Sequence, residues 1–238
     1  MLQWFRRGLM VCGVMCAVAV GGLVNAAAPP TSPTSDREWI PYKRFLEITF
    51  VDRFYQAPLA QRDRLRVRAS MAPSNKAIKA GDVVFTIAHA QSKQRIAVRE
   101  DGTFELIPTA TVLAENPMVY TSMPAGEKAA FGINFYAVLP DDLKLSYADL
   151  TGGIAQGNAL IKAQAGMFSL FAPKLNGEVL RFAKPGAQTL QVLTKAGPKS
   201  LAADAAGVIK LKWDEALATE NPALQFSERP LEVEIDAI

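Results

Sequence analysis

The sequence predicts an all-β protein of two tandem, immunoglobulin-like β-sandwich units, each with one short helix, related by an internal repeat. Three observations carry that prediction. Short apolar runs, several of them alternating, recur with turn signals between them, the spacing of strands in a sandwich. The chain matches itself when displaced by 105 residues. The only cysteines, Cys12 and Cys16, lie in the first apolar run, so the body must rest on an apolar core without disulfides.

At the N-terminus, Arg6 and Arg7 precede an uncharged run from Gly8 to Val24, and Val24 and Ala26 supply the small residues a signal peptidase reads. Residues 1–26 therefore read as a cleaved export signal, cut after Ala26, since a cut after Ala28 would put Pro29 directly downstream. Gly21-Gly22 favours cleavage over a retained anchor, so no transmembrane span remains in the mature chain. Cleavage removes two of the 26 basic residues and none of the 23 acidic ones, leaving 24 against 23. That balance withdraws support for nucleic acid as a partner. Export implies a periplasmic or secreted location. Residues 27–38, rich in Pro, Ser and Thr, read as an extended leader.

The first unit is expected over 39–140. Leu65, Val67, Ala69 and Met71 alternate, Asp82–Ala88 is apolar and β-branched, Arg95–Arg99 alternates, and Thr103–Pro108 follows an Asp-Gly turn. The second is expected over 141–238, with strands at Met167–Phe171, Thr189–Thr194, Val208–Trp213 and Leu231–Ile235. Between them, the glycines of Thr151–Ala159 read as a flexible loop; they form no phosphate loop, because the Gly-Lys-Ser/Thr ending is missing.

At the displacement of 105, residues 79–123 keep nine identities without a gap, and apolar pairs such as Phe85/Leu190 and Phe104/Ile209 keep the pattern. Outside that block a displacement of 100 brings Met71–Pro73 onto Phe171–Pro173 and Phe131–Val138 onto Leu231–Ile238. A repeated unit of about 100 residues follows. Its clearest mark is Glu115-Asn116-Pro117, which returns as Glu220-Asn221-Pro222. Thr109 and Asp214 have the side chains of helix N-caps, and Asn-Pro ends a helix because the residue before proline leaves the helical region. The motif thus reads as punctuation of a strand–short helix–strand crossover, with twin Glu115/Glu220 ligand carboxylates as the rival reading.

Most catalytic and cofactor chemistries find no foothold. His89 is the only histidine, no Gly-x-Ser-x-Gly occurs, and a zinc site wants several His or Cys ligands. No catalytic, cofactor or metal residue is assigned. Carboxylate chemistry on Asp101, Glu115, Asp214, Glu215 or Glu220 would need two acids held across a cleft. Arg62, Arg64, Arg66 and Arg68 recur at every second residue; on one strand they would share a face and present a ladder of planar donors to an acidic protein, an anionic lipid or an envelope glycan. The displaced positions Gly166, Phe168 and Leu170 carry no such ladder. The expectation is an exported, non-catalytic binding or assembly protein of the cell envelope. The alternatives are a carbohydrate-binding module using Trp39, Tyr42 and Phe45 as a platform, a carboxylate-dependent glycan-active enzyme, and a two-domain chaperone lending a strand edge.

Overall fold

The computed structural model describes residues 36–90, 92–141, 144–165 and 174–238. The export signal and leader expected up to residue 35, the strand expected at Met167–Phe171 and the displaced matches at Gly166, Phe168, Leu170 and Phe171–Pro173 lie outside these. The described chain is mostly β-sheet, with fourteen strands in three antiparallel sheets.

The order opens with β1 (Arg37–Pro41), α1 (Tyr42–Ile48), α2 (Val51–Gln56) and β2 (Leu65–Pro73). Next come β3 (Val84–His89), β4 (Ser92–Ala97), β5 (Thr103–Phe104), α3 (Ala110–Glu115), β6 (Met118–Thr121) and β7 (Ala129–Ala137). The series then runs again: β8 (Lys144–Ser146), α4 (Tyr147–Ala165), β9 (Gly177–Arg181), β10 (Thr189–Thr194), β11 (Gly197–Ala202), β12 (Val208–Lys212), α5 (Glu215–Glu220), β13 (Ala223–Phe226) and β14 (Glu232–Asp236). Sheet order repeats as well. One sheet runs β1-β6-β3-β4 and another β8-β13-β10-β11; in the third, β12-β9-β14-β7-β2-β5, the run β12-β9-β14 restates β5-β2-β7.

By packing, one compact unit holds the described residues up to Tyr55 together with Arg68–Ile133, and the other holds Gln56–Val67 with Asn134–Ile238. They are called the N-terminal and C-terminal units below. The segment before β2 belongs with the second because Gln156 of α4 donates to Ala60 and Asp63 and accepts from the Arg64 amide.

The N-terminal core is aromatic. Phe45 of α1 lies 4.9 Å from Phe85, 5.8 Å from Phe104, 5.7 Å from Trp39 and 6.4 Å from Phe131, centroid to centroid. Such ring pairs add about 0.5–1.5 kcal/mol each beyond the area they bury. At the positions that match Phe45, Phe85 and Phe104 the C-terminal core is aliphatic, with Leu150, Leu190 and Ile209 buried beside Ile154, Leu180, Leu211, Leu224, Val233 and Ile235; its buried rings, Phe135, Tyr136, Tyr147, Phe182 and Phe226, stand elsewhere.

Two expectations are corrected here. The single short helix expected in each unit is present as α3 and α5, but α1, α2 and the 19-residue α4 accompany them. The glycine-rich Thr151–Ala159 is also helix, not loop. Its glycines mark close approach: a Cβ on Gly153 would stand 2.7 Å from Ile235 Cδ1 and 2.9 Å from Leu65 Cδ2, and one on Gly157 would stand 2.6 Å from Leu175 Cδ1. Tight packing offsets the ~1 kcal/mol that each glycine costs a helix. A capping box starts α4. Ser146 donates its amide and hydroxyl to Asp149, and its oxygen accepts the Asp149 amide. These hydrogen bonds from Ser146 hold the Asp149 carboxyl below its usual range. Among the described residues no helix is long and apolar enough to cross a membrane.

Candidate functional site

The repeated Glu-Asn-Pro motif is a staple in both units, and it works through the same three contacts each time. The aspartyl amides Asn116 and Asn221 close α3 and α5 at φ 47° and 49°, the left-handed region that asparagine tolerates better than most residues. Asn116 Oδ1 accepts the Lys43 amide and Asn221 Oδ1 the Ala148 amide, each at 2.8 Å, capping the first turns of α1 and α4. The carbonyls of Pro117 and Pro222 accept the amides of Tyr42 and Tyr147. Glu115 accepts the Ala90 amide at 3.2 Å and Glu220 the Lys195 amide at 2.5 Å, holding the β3–β4 and β10–β11 turns. Thr109 and Asp214 are the N-caps expected of them, bonded to Val112 and Leu217. Every pair is displaced by 105, and the same displacement extends back to Tyr42/Tyr147.

The arginines do not form one ladder. Strand β2 begins only at Leu65, so Arg62 and Arg64 precede it. Arg62 donates to the Ala57 carbonyl, and Arg64 donates to the Ala148 carbonyl at 2.7 Å while lying against Gly152. Arg68 is largely covered and stands 3.7 Å from Glu105, which Arg99 also meets at 3.3 Å. Arg66 is exposed, with no ion pair or side-chain hydrogen bond among the described residues.

Bonds from the Val138 amide to Arg64 and from the Ser74 amide to Lys128 put β2 and β7 in register with Arg66 opposite Tyr136. Tyr136 faces Glu234, Glu234 faces Val179, and Val179 faces Lys210. One row of a single sheet face thus carries Arg66, Tyr136, Glu234, Val179 and Lys210. Beside it Arg181 bridges Glu234 at 3.0 Å and Glu232 at 3.6 Å, and Asn134 donates to Glu234 at 3.1 Å. Its signal in the sequence is the alternation of Glu232, Glu234 and Asp236, as plain as that of the arginines. An arginine shared by two carboxylates satisfies both, which is the arrangement of a bridge and not of an acid–base pair.

The acids named from the sequence serve local structure. Asp101 accepts the amide and hydroxyl of Thr103 in its turn, Asp214 caps α5, and Glu115 and Glu220 hold hairpins. Glu215 and Glu220 border an open depression with Lys195, Ala216 and Thr219. Among the described residues no group of three His, Cys, Asp or Glu could hold a metal ion. His89 Nε2 lies 2.8 Å from Ser92 Oγ across the β3–β4 turn. Its counterpart is a turn lock too, Thr194 Oγ1 donating to the Gly197 carbonyl. Tyr42 and Phe45 are buried and Trp39 stacks at 5.6 Å on Phe85, so these rings make core and not a sugar platform. Burial, with Tyr55 nearby, pushes the Tyr42 hydroxyl up to about 12.

One side chain departs from all of this. Glu178 of β9 is completely buried, and neither carboxylate oxygen has a hydrogen-bond partner among the described residues. Compared with protein-family models, curated proteins and solved structures, the chain matches none.

Proposed function

We propose that this chain is an exported, non-catalytic binding or assembly protein of the cell envelope, made of two copies of one β-sandwich unit of about 100 residues, immunoglobulin-like in size. The observation that carries the reading is Arg66: it is the one arginine of the four without a structural partner among the described residues, and it stands exposed at one end of a row whose middle, Tyr136 and Val179, is buried. Lys210 shares that face, and so do Glu234 and Glu232. Mixed charge of this kind suits a protein surface of complementary pattern better than a polyanionic lipid or glycan. The proposal includes the duplication, supported by the staple contacts that recur at one displacement. Strand lending is less favoured, because the outer strands β4 and β11 carry Lys93, Arg95, Pro198 and Lys199, residues that discourage edge pairing.

Affinity capture from envelope extract tests the reading, with the parent chain beside Arg66→Ala. Arg64 is left intact, since changing it would loosen α4. The expected result is a specific protein retained by the parent and lost by the variant, with identical circular dichroism spectra. Identical captures from both would remove Arg66 as the contact and the reading with it.

A further inference from the structure

Glu178 lies on the core face of β9, opposite Leu211 of β12 on one side and Ile235 of β14 on the other. Both neighbours are buried hydrocarbon. Among the described residues of α4, the titratable group that senses it is Tyr147, itself fully buried, whose hydroxyl accepts the Asp214 amide. Beyond Tyr147 stands the carboxylate of Asp214; among the described residues no lysine, arginine or histidine compensates the acid, and burial raises its ionisation. A buried carboxylate without a donor or counter-charge is far costlier than the neutral acid, so the folded unit favours the protonated form.

The first sequence repeat shows that the scaffold does not require an acid here. Ala69 pairs with Phe104 as Leu180 pairs with Ile209, and Met71 bonds to Gly102 as Phe182 bonds to Gly207. These equivalences set Glu178 against Val67, an apolar residue. The carboxyl is therefore an addition to the repeat.

We propose that Glu178 makes the C-terminal unit a proton-linked fold, firm in mildly acidic surroundings and progressively loosened as pH rises. The direction follows from linkage. In the unfolded chain the carboxyl ionises near its ordinary value, and in the folded unit its ionisation is displaced well upward by burial. Below the ordinary value both states hold the proton and nothing is lost. Above it only the unfolded state releases the proton, until the raised folded value is reached. Across that window the folded-to-unfolded ratio falls about tenfold per pH unit, about 1.4 kcal/mol. Val67, the corresponding residue of the first sequence repeat, has no proton to release and adds no such dependence.

Urea unfolding of the full chain between pH 4.5 and 8 tests this, with Trp4 and Trp39 changed to Phe so that Trp213 emission reports on the C-terminal unit. Glu178→Val, which installs the residue found at the equivalent position of the first repeat, is compared with the parent. The expected result is that the parent's folded-to-unfolded ratio falls relative to the variant's by about tenfold per pH unit above pH 5, the variant being firmer at pH 7. Glu178→Gln provides a second non-titrating control, and its ratio is expected to lack the same fall. Parallel pH profiles for parent and variants, or a parent that is firmer at pH 7 than at pH 5 relative to them, would overturn the proposal.

Discussion

The two cores differ far more than the frames that enclose them. In the N-terminal unit the seven-residue helix α1 and its sheet meet through Phe45, Phe85 and Phe104, with Trp39 and Phe131 beside them. In the C-terminal unit the corresponding positions hold Leu150, Leu190 and Ile209, while the helix lengthens to 19 residues and gains glycines that let it sit close. Yet the hydrogen bonds of the staple recur residue for residue. Packing interiors tolerate exchange of apolar groups when volume and pattern are kept. A polar contact fixed by one carbonyl, one amide side chain and one left-handed residue has no such freedom. What is shared between the units is therefore polar, local and at turns, and what has diverged is apolar and central.

That contrast can be broken first at the cores. Phe45→Ala is expected to cost about 3–5 kcal/mol, more than Leu150→Ala at about 2–5 in its own setting, because it also removes ring–ring contacts. Denaturant midpoints check this; an N-terminal loss below the C-terminal one would mean the aromatic cluster adds nothing beyond area. Next, Gly153→Ala is expected to destabilise by about 1–3 kcal/mol although alanine is the better helix former, since its methyl would meet Ile235, Leu65 and the Arg64 carbonyl. A stabilised variant in the same assay would show that α4 does not need close approach there. The smallest contrast lies at the caps. Asp214→Ala should cost about 0.5–2 kcal/mol and Thr109→Ala less, the Thr109 bond being 3.4 Å against 3.0 Å. Equal losses would mean that bond length does not rank these caps.

The sequence made the short crossover helices legible, because cap, apolar residue and Asn-Pro stop occur in the right order and twice. The β character and several strands were legible for the same reason: alternation beside Gly and Asn turns leaves few other conformations. The long helix α4 was not, since Gly152, Gly153 and Gly157 read as loop signals unless the strand they approach is known. The clue that could have found it, Ser146-x-x-Asp149 before an apolar run, is short and common. The arginine periodicity misled because a period of two means a shared face only where the strand has already begun, and it begins at Leu65. Glu178 gave no signal either: Gly-Glu-Val-Leu-Arg reads as a strand with its acid outward, and the pairing that turns Glu178 inward depends on β12 and β14, distant in sequence.

The central claim is that Glu-Asn-Pro is architecture, one staple used twice. Residue-resolved amide hydrogen exchange on Asn116→Ala and Asn221→Ala tests it most directly. Each variant loses a cap and forces alanine toward the left-handed region, together about 1–3 kcal/mol. The account predicts faster exchange at Lys43 and Tyr42 in the first variant and at Ala148 and Tyr147 in the second, each confined to its own unit. Unchanged protection at these amides in both variants would contradict it.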